Sequence, residues 1–268
     1  MKIKLGISPC PNDTFMFDAL INSKIDTQGI DFDVSYEDVE QLNQWALEKR
    51  LDVTKVSFSA YIHCVQDYVL LNSGSAIGDN CGPLLIKKTE IVLDDSSLIA
   101  IPGRFTTANM LFSYAYPNYN NKVVTLFSDI ENKVESEEVD AGVIIHENRF
   151  TYMKKGLEKV KDLGEFWQEK TQLPIPLGGI IIKRELPIAI KKTIDSLIRE
   201  SIEFAFNNPS SSLDYIRCHS QEMDQYVLQS HIDLYVNKNS LSLNNKSKDS
   251  IRELFVMANN TFKDIFIE

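Results

Sequence analysis

Ile30, Phe32, Val34 and Tyr36 alternate with polar residues, the period-two pattern of a half-buried strand. Directly afterwards Val39, Leu42, Ala46 and Leu47 recur at helical spacing. This change of period repeats along the first half of the chain. Lys2 to Ile7 predicts a strand, and Asp13 is placed to cap a helix carrying Phe15, Phe17, Ala19 and Leu20. Leu51 to Val56 predicts a short strand, followed by a helix from Ser59 that contains Tyr61, Ile62 and Val65. Tyr68 to Leu71 and Leu84 to Ile86 predict two more strands.

A second series starts near residue 90. Its expected elements are a strand at Leu98 to Ile101, a helix at Thr107 to Tyr116 and a strand at Lys122 to Phe127. A helix from Asp129, a strand at Gly142 to Ile145 and a helix near Leu157 to Lys170 complete it. Gly179 to Ile182 predicts one further strand, and from Pro187 to Glu268 the pattern is almost wholly helical, clearest in Thr193 to Phe206 and Ile251 to Phe266. Asn237 to Lys248 is rich in Asn, Ser and Lys and is expected to be an exposed loop. The pattern predicts an α/β protein of two lobes with a helical C-terminal segment. Residues 1–88 and 180–268 are expected to form a discontinuous first lobe, and residues 89–179 an inserted second lobe.

Composition narrows the function. The 268 residues are 43% hydrophobic and 25% charged, enough for one large domain or two lobes with ordinary cores. The net charge of −10 argues against a nucleic-acid or anionic-membrane surface, either of which needs a basic face. It leaves room for a small ligand in a locally positive pocket. Met1 to Ser8 does not read as a signal peptide, and no apolar run approaches a membrane span. Cys10, Cys64, Cys81 and Cys218 form no CxxC or zinc pattern. The expectation is a cytoplasmic protein with reduced thiols and no structural metal. Oligomeric state is left open.

Candidate chemistry lies where predicted strands end, which is where open α/β sheets bind ligands. His146 closes a buried strand and exchanges protons near neutral pH; by position alone the structural reading of a lone histidine outweighs the catalytic one. Ser8 to Phe15 reads either as a capped turn or as a rigid rim on a ligand site. Lys55, Ser57 and Ser59 lie between a strand and a helix start, an arrangement suited to anions, although either serine also serves as a simple N-cap. Gly103, Arg104, Thr106 and Thr107 repeat that arrangement later in the chain. Arg104 suits a carboxylate or an ordinary surface. The glycine-rich stretch Gly74 to Pro83 is not a phosphate loop, no GxSxG nucleophile segment is present, and Cys10 and Cys81 read as incidental loop thiols.

Six segments together carry a family likeness: SPCPNDTF at 8–15, DVEQLN at 38–43, DVTKVSFSAY at 52–61, GDNCGP at 78–83, PGRFTTA at 102–108 and DAGVIIHENRFTY at 140–152. In order and spacing they resemble the 1,4-dihydroxy-6-naphthoate synthase family, menaquinone-pathway enzymes of the futalosine route. The likeness runs to about residue 184. It implies a type II periplasmic-binding-protein-like fold, two α/β lobes around a ligand cleft. It implies a lyase that cleaves cyclic de-hypoxanthine futalosine to 1,4-dihydroxy-6-naphthoate without a redox cofactor or metal. The family's base falls on His146, and its substrate-binding segments on Lys55, Val56 and Ser57 and on Thr106 and Thr107. Two other readings stay open: a solute-binding protein without catalysis, and the sister enzyme chorismate dehydratase, which shares the fold class.

Overall fold

β1 (Lys2–Ile7) places Ile3, Leu5 and Ile7 in the core of the first unit. The computed structural model describes residues 1–79, 81–220 and 224–267, and two compact units emerge from it: 1–77 with 176–268, and 78–175. In the first unit β1 leads into α1 (Pro11–Ile21), β2 (Asp31–Tyr36), α2 (Val39–Leu47), β3 (Val53–Ser57), α3 (Phe58–Cys64), β4 (Tyr68–Leu70) and β5 (Ala76–Gly78). Asp13 does not cap α1. The cap position is Cys10, followed by Pro11, whose fixed φ and missing N–H suit a first helical turn. Asp13 lies inside that turn, and its carboxylate turns back to Ser8. Asp38 does cap α2, accepting the Glu40 and Gln41 amides.

The second unit contains β6 (Leu84–Lys88), β7 (Ile99–Ile101), α4 (Thr107–Ala115), β8 (Lys122–Val124), α5 (Ile130–Glu135), β9 (Ala141–Ile144), α6 (Asn148–Thr151), β10 (Leu157–Asp162) and α7 (Leu163–Thr171). Its sheet runs β10-β6-β9-β7-β8. β7 is parallel to both β8 and β9, while β6 is antiparallel to β9 and β10. Residues 78–88, expected in the first lobe, belong here because β6 is hydrogen-bonded between β9 and β10. The helix expected near Leu157 to Lys170 is in fact a strand followed by a helix. Leu157, Val160 and Leu163 imitate a helical stripe, but Gly156 at φ 70° breaks the chain just before them, and a sheet edge beside β6 is open to be paired. Ile86, Ala100, Ile130, Val134 and Ile144 belong to this unit's core.

The chain then returns to the first unit through β11 (Ile175–Lys183), with α8 (Ile188–Asn207), α9 (Leu213–His219), α10 (Gln225–Tyr235), α11 (Lys238–Leu241) and α12 (Asn245–Met257). The sheet order is β2-β1-β3-β11-β4, with β5 also pairing β11. β1 is parallel to β2 and β3, and β11 is antiparallel to β3 and β4. Ile180 and Ile182 of β11 join Ile194, Leu197, Ile198 and Ile202 of α8 in one core cluster. The expected exposed loop at Asn237 to Lys248 is instead α11 and the start of α12, because its polar residues are spent on caps. Asn237 forms a capping box with Ser240, Asn244 accepts the Ser247 amide, and both serines are buried. The helix expected to reach Phe266 stops at Met257. Beyond it Asn259 has φ 56°, and the chain runs alongside Leu70, which hydrogen-bonds Ile265 and Ile267. Of the expected helical region, residues 221–223 and 268 lie outside the described residues, as does Asn80 of the GDNCGP segment.

Gly82 and Gly164 bring two backbones of the second unit together. A Cβ on Gly164 would sit 2.5–2.8 Å from the backbone of Cys81 and Gly82, and backbone atoms there cannot step aside as a flexible side chain would. Gly164→Ala is expected to lower stability by about 1–3 kcal/mol. Urea unfolding followed through Trp167, fully buried in the same helix, measures it.

Candidate active site

In both units the candidate residues follow the carboxyl ends of two adjacent parallel strands. In the first unit, β1 and β3 pair at Leu5 with Val53 and at Gly6 with Thr54. β1 runs into Ser8 to Asp13, and β3 ends on Lys55, Val56 and Ser57. In the second unit, β7 and β9 pair at Ile99 with Ala141 and at Ala100 with Gly142. β7 runs into Thr106 and Thr107, and β9 into His146. Each unit thus collects its polar groups where strand ends leave backbone groups unsatisfied and helices begin.

Lys55 and Ser57 lie on the same face of β3, two residues apart. The Lys55 ammonium donates to Asp13 Oδ1 at 3.0 Å and to the Gly74 carbonyl at 3.4 Å. Ser57 holds the N-cap position of α3 but makes no capping bond. Its amide donates to Asn43 Oδ1 at 2.8 Å, and its Oγ accepts from Asn43 Nδ2 at 3.3 Å. The Ser57 hydroxyl hydrogen therefore has no acceptor among the described residues. Val56 is fully buried, side chain and backbone alike. A Cβ at Gly178 of β11 would lie 2.6 Å from the Val56 carbonyl oxygen and 3.6 Å from Lys55 Cε, so glycine there makes room for this segment.

Thr106 and Thr107 are both buried, but they are not equivalent. Thr106 caps α4: its Oγ1 accepts the Asn109 amide at 3.2 Å and donates to the Gly103 carbonyl at 2.9 Å. Its hydroxyl hydrogen is taken, and one lone pair of the oxygen remains. Thr107 is the first residue of the helix proper. Arg104 is exposed. The Cys81 thiol is pushed up to about 11, chiefly by burial, so it is not a thiolate nucleophile at neutral pH.

His146 is half-buried and has φ 56°. A non-glycine residue in the left-handed region carries strain, and histidine is among the residues that tolerate it best. The Phe127 ring meets the imidazole edge to face, with centroids 4.9 Å apart and planes at 65°. The turn after His146 is tied down at several points. Arg149 donates to the Gly82 carbonyl and to Asp162 Oδ2, both at 2.7 Å. Asp162 is fully buried and also caps α7 through the Gly164 amide. Thr151 donates to Glu131 at 3.0 Å, and Lys155 pairs with the same carboxylate at 3.1 Å. The turn that follows the strained backbone at His146 is thereby held from the segment before β6, from β10 and from α5. This unit supplies a fixed imidazole, the first a fixed ammonium and a hydroxyl donor.

Sequence reasoning missed Asp13 as the partner of Lys55, Asn43 as the partner of Ser57, and the Arg149–Asp162 pair. Asn43 and Arg149 fall inside the DVEQLN and HENRF segments, so the signal was there without its meaning.

A family model described as menaquinone biosynthesis matches residues 3–260. The chain belongs to the menaquinone-biosynthesis family. A member from Thermus thermophilus, named 1,4-dihydroxy-6-naphthoate synthase, is 41% identical over 96% of this chain and 93% of its own. A crystal structure of an Archaeoglobus fulgidus protein is 36% identical, with a TM-score of 0.92 over 96% of this chain and 97% of that one. A Candida albicans protein described as having the generic periplasmic binding protein fold is only 11% identical, yet its TM-score is 0.68 over 100% of this chain and 98% of its own. The fold of this family member is therefore periplasmic-binding-protein-like.

Two stability outcomes follow from the site. Thr106→Ala is expected to cost about 1 kcal/mol through loss of the α4 cap, read as a lower denaturation midpoint. At position 146, alanine is expected to be less stable than asparagine by about 1 kcal/mol or more, because asparagine tolerates the left-handed region and alanine does not. Equal denaturation curves for His146→Ala and His146→Asn would remove the backbone argument.

Proposed function

We propose that this chain catalyses the reaction for which its Thermus relative is named. It forms 1,4-dihydroxy-6-naphthoate from cyclic de-hypoxanthine futalosine, in the cytoplasm and on a small-molecule substrate. No helix among the described residues is long and apolar enough to cross a membrane, and the acidic net charge suits neither nucleic acid nor an anionic surface. The observation that carries the reading is His146, a titratable side chain on a strained backbone at the end of β9, followed by a turn held from three neighbouring segments.

In this reading the neutral imidazole takes a proton from the substrate. The electron pair left on oxygen forms a carbonyl in the departing sugar-derived fragment as the carbon–carbon bond breaks, the bonding pair stays with the carbon that becomes part of the aromatic product, and the imidazolium returns its proton to that product. General base catalysis of this kind contributes about 10²–10⁴-fold. Lys55 and Ser57 offer donors to oxygens of the substrate, and Val56 between them is assigned to the same binding segment. Thr106 and Thr107 are both assigned to substrate, Thr106 also shaping the helix start.

His146→Asn is expected to lower single-turnover formation of dihydroxynaphthoate on the order of 10²-fold or more, with substrate binding largely kept. The wild-type rate is expected to fall as pH drops from 8 to 5, since protonated imidazole cannot accept a proton. A variant retaining most of the wild-type rate would exclude His146 as the base. Unchanged ligand after long incubation with wild type would favour a binding protein without catalysis, and turnover of chorismate instead would favour the sister enzyme.

Ser57→Ala and Thr107→Ala are expected to raise KM about tenfold or more, corresponding to loss of a hydrogen bond to a charged group at roughly 1.5–3 kcal/mol. A lowered thermal midpoint with KM unchanged would make both residues structural.

A further inference from the structure

All five residues of β3 are buried, so an ammonium there needs a counter-charge. Asp13, fully buried at the start of α1, supplies it. That carboxylate is held on both oxygens. Oδ1 accepts from Asn12 Nδ2 and from Lys55 Nζ, each at 3.0 Å. Oδ2 accepts from the Ser8 amide at 3.1 Å and the Ser8 hydroxyl at 2.9 Å. An ammonium has three N–H donors. Asp13 and Gly74 take two, and the third has no acceptor among the described residues. That third N–H is left for an acceptor outside the chain, a ligand or a water. On the same strand face the Ser57 hydroxyl hydrogen likewise lacks an acceptor. Two neighbouring donors without acceptors, at the carboxyl end of a parallel strand, call for a ligand rich in acceptors.

We propose that Asp13 is a positioning residue of the substrate site, keeping Lys55 charged and aiming its third N–H at a carboxylate oxygen of the substrate. This rests on the functional reading above. Asp13 touches no substrate; it acts through Lys55. Among the described residues Asp13 is the carboxylate ion-paired with Lys55. The turn at Gly74 gives a carbonyl, and β11 gives the backbone of Gly178. On α2, Glu40 is hydrogen-bonded to Asn43, the partner of Ser57, and not to Lys55.

The pair makes a pH-dependent prediction. In the wild type the counter-charge of Lys55 is in place, and KM is expected to be flat from pH 7 to 9. In Asp13→Asn the ammonium is buried without a counter-charge, which favours the neutral amine. Binding a carboxylate then requires taking up a proton, and KM rises with pH, approaching tenfold per unit above the lowered lysine pKa, with kcat changed much less. Lys55→Arg in the Asp13→Asn background is expected to remove that slope, because a guanidinium stays charged.

The experiment measures kcat and KM for dihydroxynaphthoate formation at pH 7, 8 and 9 in wild type and both variants. Calorimetric titration with 1,4-dihydroxy-6-naphthoate in two buffers of different ionisation enthalpy accompanies it. Uptake of close to one proton by Asp13→Asn, and of none by wild type, supports the proposal. Flat KM and no proton uptake in a folded Asp13→Asn that turns over normally would overturn it and leave the functional reading standing. Absence of turnover in the wild type would overturn the functional reading, with the titration still deciding the role of Asp13. Should Asp13→Asn fail to fold, Ser8→Ala withdraws the hydroxyl bond from the same carboxylate without changing charge. A KM raised about three- to tenfold at constant kcat then supports the proposal, and an unchanged KM overturns it.

Discussion

Lys55 is the constraint around which the first unit is arranged. A lone ammonium in a dry strand would be several kcal/mol unfavourable, so the fold must bring an anion to it. The anion comes from a part of the chain 42 residues away. To hold Asp13 there, β1 must pair in parallel with β3, the loop after β1 must bend so that Ser8 and Asn12 reach the same carboxylate, and Pro11 must start the helix ahead of Asp13. The Gly74 turn and Gly178 complete the surroundings. Core residues such as Leu5 and Val53 give the sheet its stability; the ion pair constrains its register.

The second unit solves a different problem with the same topology. Its parallel pair β7 and β9 again delivers polar residues to neighbouring strand ends, but here the demanding element is backbone. His146 occupies a conformation that most side chains avoid, and it persists because ionic and hydrogen-bonding ties on Arg149, Thr151 and Lys155 leave the turn no alternative. Binding proteins with this fold need only strand ends that hold a ligand. A family member that does chemistry also needs one group fixed in an unusual geometry, and the strain at His146 meets that description.

Much of this was legible in the chain. Alternation at Ile30 to Tyr36 and helical spacing at Val39 to Leu47 predict β2 and α2 almost to the residue. Such segments have one buried face, and a face is what periodicity reports. Residues 157–163 misled because an edge strand with charged residues and a bulge imitates a helical stripe. Residues 237–248 misled because capping residues have loop composition. At the site, His146, Lys55 and Ser57 were visible as residue types at strand ends. The partners Asp13, Asn43 and Asp162 were not, since each acts across a long stretch of sequence on a group it only meets after folding. Charge balance offered a clue for Asp13: a lysine in a buried strand must be neutralised by something.

The first unit's sheet also has an order of assembly. β11 lies between β3 and β4, so the strands made earliest meet an open edge until residues 175–183 exist. On a ribosome adding about 5–20 residues per second, the intervening segment takes roughly 5–20 s to synthesise. Throughout that interval the nascent β3, with its lysine and its apolar faces, waits without its neighbour. The emerging N-terminal segment is therefore a natural client for chaperones that shield unpaired strands, and a pause in translation before β11 would lengthen its exposure to aggregation.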